Sequence, residues 1–209
     1  MKTVILPGLG ADSRMYPKAI YGNLLDVVFA DWPEYGDEET IQAVAERVIN
    51  LHKIQQNTIV GGSSLGGIVA IQIAKTLGLK KVILIGSAKT ANKINPILKR
   101  LSVVAEITPF KLIQLHLGKI NVHGNSELFA MFEEADRYFI RAMARAIFNW
   151  DGIEDYKCDI YHIHGEKDRI IFPPRSNVEI IKSGGHLISM SHSEQVKEFI
   201  KKNINVNRP

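Results

Sequence analysis

Up to Ser87 the apolar residues of this chain fall into two alternating rhythms. Short continuous runs, Val4-Ile5-Leu6, Val27-Val28-Phe29, Ile59-Val60 and Val82-Ile83-Leu84-Ile85, have the length and composition of buried strands. Between them apolar residues recur at helical spacing: Ile41, Val44, Ala45, Val48 and Leu51 in one stretch, then Leu65, Ile68, Val69, Ile73 and Leu77 in another. Turn chemistry closes the runs, with Pro7-Gly8-Leu9-Gly10 after the first strand, Asp31 to Gly36 after the second and Gly86-Ser87 after the fourth. Asp12 or Ser13 is placed to cap a short helix. Asp37 is placed to start a longer one, with Glu38 and Glu39 where they favour the helix dipole, and Gly78 to end the helix that follows Leu65. Strands that are apolar throughout are covered on both faces. Strands alternating with helices in this way predict an α/β fold, a mostly parallel sheet with helices on both sides.

The rhythm breaks after Ser87. From Asn92 to Trp150 the pattern is helical: Ile94, Ile97, Leu98 and Leu101 mark one stripe, and Phe110, Ile113 and Leu117 a shorter one. Leu128, Met131, Phe132, Ala135, Phe139, Met143 and Ile147 mark a long third. A segment of about 92–150 therefore reads as a helical lid inserted between two sheet strands and lying across their carboxyl edge. Arg137, Arg141 and Arg145 fall four apart on one face of it, either solvated or turned to an anionic substrate tail. The strand pattern returns from Asp159 to His164, ahead of Gly165-Glu166-Lys167-Asp168, and again from Val178 to Ile181, ahead of Ser183-Gly184-Gly185-His186. Ser191 and Glu194 have the spacing of a capping box for a last helix that turns Val196, Phe199 and Ile200 inward. Residues 1–209 are thus expected to form a single domain carrying one helical insertion.

Composition narrows the function classes. The 26 basic and 22 acidic residues leave a net charge of +4 without a basic stripe, and Lys197, Lys201 and Lys202 read as a solvated helix end. No nucleic-acid partner is expected. The lone cysteine, Cys158, cannot form an internal bridge and suggests no metal site. His162 and His164 share one sheet face, but no carboxylate or cysteine cluster accompanies them, so they read as core histidines rather than ligands. No cofactor and no metal are expected. Val4-Ile5-Leu6 is too short for a signal-peptide core or a membrane span, so the expectation is a cytoplasmic protein without a membrane partner. Oligomeric state leaves no trace in the sequence.

The chemistry gathers in three loops. Gly62-Ser63-Ser64-Leu65-Gly66 is a G-x-S-x-G between a strand and a helix, which holds its central serine on a strained turn above the sheet edge. Glycine at 62 and 66 removes the collisions such a turn creates, and Gly67 lets the helix start close to the sheet. Ser63 fits less well, because Leu65 stands where its second glycine is needed. Asp168 follows the His162–His164 strand and His186 follows the last one. Functional groups of an open α/β sheet collect at this carboxyl edge.

Serine, acid and histidine in that chain order resemble the α/β-hydrolase family, in particular its small single-domain esterase-like members. The resemblance rests on Pro7-Gly8-Leu9-Gly10, the Ser64 turn, His164-Gly165-Glu166-Lys167-Asp168 and Gly184-Gly185-His186, and spans nearly the whole chain. It implies Ser64 as nucleophile, His186 as its base and Asp168 as the group that orients the histidine. The backbone amides of Leu65 and, by the resemblance, Leu9 would hold the oxyanion. Pro7 stands where many relatives carry histidine. The chain starts at what resembles the family's third strand, and the short Asp168–His186 segment leaves room only for a turn around Pro173-Pro174. The expected activity is hydrolysis of a small carboxylic ester or thioester with an apolar acyl group, a small-molecule substrate. The alternatives are a silent relative that binds an apolar ligand or a partner protein, and a C–C hydrolase or acyltransferase on the same scaffold. A nucleotide-binding reading fails, since Gly8-Leu9-Gly10 lacks a third glycine and the Ser64 turn lacks a P-loop lysine.

Overall fold

The computed structural model describes residues 2–95, 126–152 and 156–204. Within them six strands form one sheet: β1 Thr3–Leu6, β2 Val27–Phe29, β3 Ile59–Ser63, β4 Lys81–Ile85, β5 Asp159–Gly165 and β6 Glu179–Ile181, in the order β2-β1-β3-β4-β5-β6. All five pairings among them are parallel. The helices are α1 Lys18–Tyr21, α2 Ile41–His52, α3 Leu65–Leu77, α4 Ser126–Glu134, α5 Arg137–Ala146, α6 Ile188–Ser191 and α7 Ser193–Ile204. The α/β sheet expected from the apolar runs is present, and no described helix is long and apolar enough to cross a membrane.

Strand parity divides the core between the two faces of the sheet. Val4, Leu6, Val60, Val82 and Leu84 pack with Val44, Val48 and the apolar side of α3 on one face. Ile5, Ile59, Ile83, Ile85 and Ile163 pack with Tyr21, Val196, Phe199 and Ile200 on the other. Helix α3 is the most deeply embedded: Ile68, Val69, Ile71 and Ile73 are all buried, each worth about 1.5–3 kcal/mol relative to exposure. Gly78 ends it in a left-handed conformation, φ 68°. The start of α3 is therefore rigidly seated above β3.

Several boundaries differ from the sequence reading. Helix α2 begins at Ile41 with Thr40 as its cap, whose hydroxyl accepts from the Ala43 amide at 3.1 Å. Asp37 and Glu39 stay outside it, and Glu38 is buried against Arg47 instead. The long third stripe is two helices, because the Asp136 carboxylate accepts from the amides of Tyr138 and Phe139 and starts α5 afresh. Arg137, Arg141 and Arg145 are exposed along α5. The predicted capping box is absent: Ser191 ends α6 and donates its hydroxyl to the Leu187 carbonyl. Ile97, Leu98, Leu101, Phe110, Ile113 and Leu117 lie outside the described residues.

Candidate active site

Ser64 sits between β3 and α3 with φ 51° and ψ −117°, a backbone conformation that an L-residue adopts only under strain. The glycines around it make the turn possible. A Cβ on Gly62 would lie 2.4 Å from the Gly66 carbonyl carbon, and one on Gly66 would lie 2.4 Å from the Pro7 carbonyl oxygen. The turn is anchored at both ends: the Ser64 amide donates to the Ile85 carbonyl at 3.1 Å, and the Ser64 carbonyl accepts from Ser87 Oγ at 2.7 Å. Its side chain makes no cap to α3 and points elsewhere.

Ser64 Oγ lies 2.9 Å from His186 Nε2, and His186 Nδ1 lies 2.8 Å from Asp168 Oδ2. Asp168 can only accept, so Nδ1 carries the proton and the neutral ring offers Nε2 to the serine hydroxyl. The histidine side chain is 7% exposed and the carboxylate is fully buried. Burial alone would raise the Asp168 pKa. The positive charge that His186 carries when protonated, and the N–H groups of His164 and His186, overcome that and hold it well below the ordinary carboxylate range. Asp168 Oδ1 accepts from the amides of Ile170 and Ile171 at 2.8 and 3.0 Å, which folds the acid loop around its own side chain. The histidine loop meets β5 where a side chain has no room: a Cβ on Gly165 would lie 2.2 Å from the Gly185 carbonyl. Asn95 clasps the acid loop from the other side, donating its side-chain amide to Arg169 O.

The two neighbouring serines have opposite surroundings. Ser63 is buried on the other face, 2.9 Å from the Tyr16 hydroxyl and 2.5 Å from Ser189 Oγ. Tyr16 also reaches the Leu6 carbonyl, and burial pushes its phenol well above the ordinary tyrosine value. Ser63 is thereby held away from His186.

The loop after β1 lies over the turn. Gly8 faces Ser64, with a Cβ there falling 3.7 Å from Ser64 Cβ. The Gly8 carbonyl accepts from Trp32 Nε1 at 3.0 Å and from the Ala11 amide at 3.3 Å. The Gly8–Leu9 peptide is trans, so the Leu9 N–H points away from Trp32. Leu65 opens α3, and its amide is one of the first-turn groups without an intrahelical acceptor. Beyond Gly10 and Ala11 a cavity of about 580 Å³ opens, with Trp32, Tyr35, Met131 and Phe139 as apolar wall. Carboxylates of Asp31, Glu34 and Asp136 stand around it, as do Asp12 and Glu134, which share Arg14.

Sequence reasoning missed Trp32, Tyr16 and Ser189, which come from elements remote in the chain. It passed over His162 and His164 as core. Both are buried, their rings 3.0 Å apart between Nε2 and Nδ1, and His164 Nε2 lies 3.0 Å from Asp168 Oδ2. Among the described residues no group of three or more His, Cys, Asp or Glu could hold a metal ion.

A family model described as the alpha/beta hydrolase family matches residues 3–199. The fold is similar to a thermophilic esterase from Thermogutta terrifontis, at 19% identity and TM-score 0.71 over 98% of this chain and 89% of that one. A hydrolase from Oleispira antarctica aligns at 18% identity and TM-score 0.77, covering 99% and 92%. An enol-lactonase from Burkholderia xenovorans LB400 aligns at 16% identity and TM-score 0.74, covering 98% and 91%. No curated protein matches the sequence.

Proposed function

The chain belongs to the alpha/beta hydrolase family, and we propose that it is a serine hydrolase cleaving a small carboxylic ester or thioester through Ser64, His186 and Asp168. The observation that carries this reading is the unbroken line Ser64 Oγ–His186 Nε2–His186 Nδ1–Asp168 Oδ2, at 2.9 and 2.8 Å. A serine hydroxyl is a weak nucleophile near neutral pH, so His186 Nε2 removes its proton as Oγ attacks the carbonyl carbon. The buried Asp168 carboxylate stabilises the imidazolium that forms. The amides of Leu65 and Leu9 receive the negative charge that builds on the carbonyl oxygen, each worth about 3 kcal/mol at the transition state. Collapse expels the alcohol or thiol, protonated by His186, and leaves an acyl group on Ser64. Water, deprotonated by the same histidine, then releases the acid.

The substrate is small, and apolar near the scissile bond. Trp32, Tyr35, Met131 and Phe139 offer an apolar wall next to the loop over Ser64. The carboxylates around that cavity oppose an anionic tail, and the arginines of α5 are exposed rather than turned into it. The test is a series of p-nitrophenyl esters of increasing acyl length, with a thioester and a peptide amide beside them. Specificity constants should peak at short to medium acyl chains and vanish in Ser64→Ala. A maximum at long chains, or efficient amide cleavage, would overturn the substrate reading. Turnover retained by Ser64→Ala would overturn the mechanism.

A further inference from the structure

Asp168 is held by more than the residues a triad requires. Behind it, on the face of β5 opposite Ile163, stand His162 and His164, 4% and 0% exposed. Two imidazoles in a hydrophobic core carry four ring nitrogens, and each needs an account. His164 Nε2 lies 2.9 Å from the Ile171 carbonyl and 3.0 Å from Asp168 Oδ2. Both neighbours can only accept, so this nitrogen carries a proton, directed at the carbonyl and shared with the carboxylate. In the neutral ring Nδ1 is then an acceptor, and the group 3.0 Å from it is His162 Nε2, which must donate. That leaves His162 Nδ1 as a lone pair, buried without a hydrogen bond of acceptable geometry, and the Ser87 backbone borders the ring.

We propose that His164 is a positioning residue for the reaction, and that His162 fixes the tautomer in which it can act. The proposal rests on the triad reading above. The His164 N–H ties Ile171 O to Asp168 Oδ2 and so fixes where the carboxylate oxygen stands when it receives His186 Nδ1–H. Without it, Oδ2 keeps His186 as a donor but loses its second contact, and the acid loop loses a tie between its two ends. The negative charge that His164 shared then falls more fully on His186. The charged and titratable groups around the pair are Asp168, His186 and Lys89. Burial comes first among the causes that push His162 down to about 3, so it stays neutral through the working range. An uncharged donor at 162 is what the tautomer requires.

Two measurements test this. The first is long-range proton–nitrogen correlation on the histidine-labelled parent protein, which reads tautomers directly. His162 and His164 should carry their protons on Nε2 and His186 on Nδ1. An Nδ1–H tautomer at His164 overturns the proposal, whereas an Nε2–H tautomer at His186 overturns the triad reading, with the His164–Asp168 contact left standing. The second is the pH dependence of p-nitrophenyl acetate hydrolysis in four variants. His164→Leu should lower kcat by between about 10- and 100-fold with KM within about twofold, and move the acid limb of kcat to higher pH. His164→Gln, whose amide N–H falls near the Nε2 position, should recover most of the rate. His162→Gln should stay near the parent, and His162→Leu should fall toward His164→Leu. Equal loss in Leu and Gln variants, with the acid limb unmoved, would reduce both residues to packing and overturn the proposal. If the leucine variants do not fold, the tautomers decide the matter.

Discussion

The strained serine invites a stability experiment whose sign can be worked out in advance. At φ 51° and ψ −117°, Ser64 holds a side chain where only glycine is at ease. Such a residue costs about 1–3 kcal/mol. Replacing it by alanine or by glycine removes the hydroxyl and its contact with His186 in both cases, so the difference between the two variants reports on Cβ alone. Glycine relieves the strain. Against that, it adds about 0.5–1 kcal/mol of chain entropy in the unfolded state, and the half-buried Cβ is worth a few tenths of about 0.8 kcal/mol more. With strain near the middle of its range, Ser64→Gly should be more stable than Ser64→Ala by about 1 kcal/mol. For a protein of this size that is a melting temperature higher by about 2–4 °C. At an unstrained site the order is reversed, which makes the sign diagnostic. Urea unfolding of both variants, followed by circular dichroism, measures it. Ser64→Ala equal to or more stable than Ser64→Gly would refute the strain argument.

Three further outcomes follow from the same geometry. His162 is pushed down to about 3 from an ordinary value near 6.5, so the unfolded chain takes up a proton that the folded chain refuses. Stability is full above that ordinary value and falls as pH drops toward about 3, by about 2–3 kcal/mol near pH 4.5; His162→Gln should flatten this slope in urea titrations, and an unchanged slope would count against it. Trp32→Phe removes the donor that orients the Gly8–Leu9 peptide, so kcat should fall roughly tenfold while melting temperature changes little; parent-like turnover would remove Trp32 from the account. Gly66→Ala drives a methyl against the Leu6 and Pro7 carbonyls, at 2.5 and 2.4 Å, and should cost about 3 kcal/mol or more of stability in the same unfolding assay.

Much of this was legible in the sequence because it depends on local pattern. The Gly62-x-Ser64-x-Gly66 spacing encodes backbone crowding within one turn, and the crowding around Gly62 and Gly66 is found there. Continuous apolar runs named the strands, and their order along the chain put Ser64, Asp168 and His186 at one edge. What was misread lies where several residues compete for one local role. Asp37, Glu38 and Glu39 all suit a helix start, but Thr40 is the residue whose oxygen reaches the Ala43 amide. An apolar stripe survives an interruption, so the break at Asp136 between α4 and α5 does not disturb its spacing. Contacts between distant segments were illegible altogether. Nothing in Trp32 announces that its indole reaches Gly8, and nothing in His164 distinguishes a core histidine from one that touches Asp168.

The central claim is that Ser64 is a nucleophile activated by His186, and covalent capture tests it most directly. The protein should be treated with a fluorophosphonate probe across the neutral pH range and digested, and the adduct located by mass spectrometry. The account predicts stoichiometric labelling on Ser64. Labelling should vanish in Ser64→Ala and slow by orders of magnitude in Asp168→Asn, where the wrong tautomer faces the serine. An adduct on Ser63, or no adduct from a folded protein that still hydrolyses esters, would contradict it.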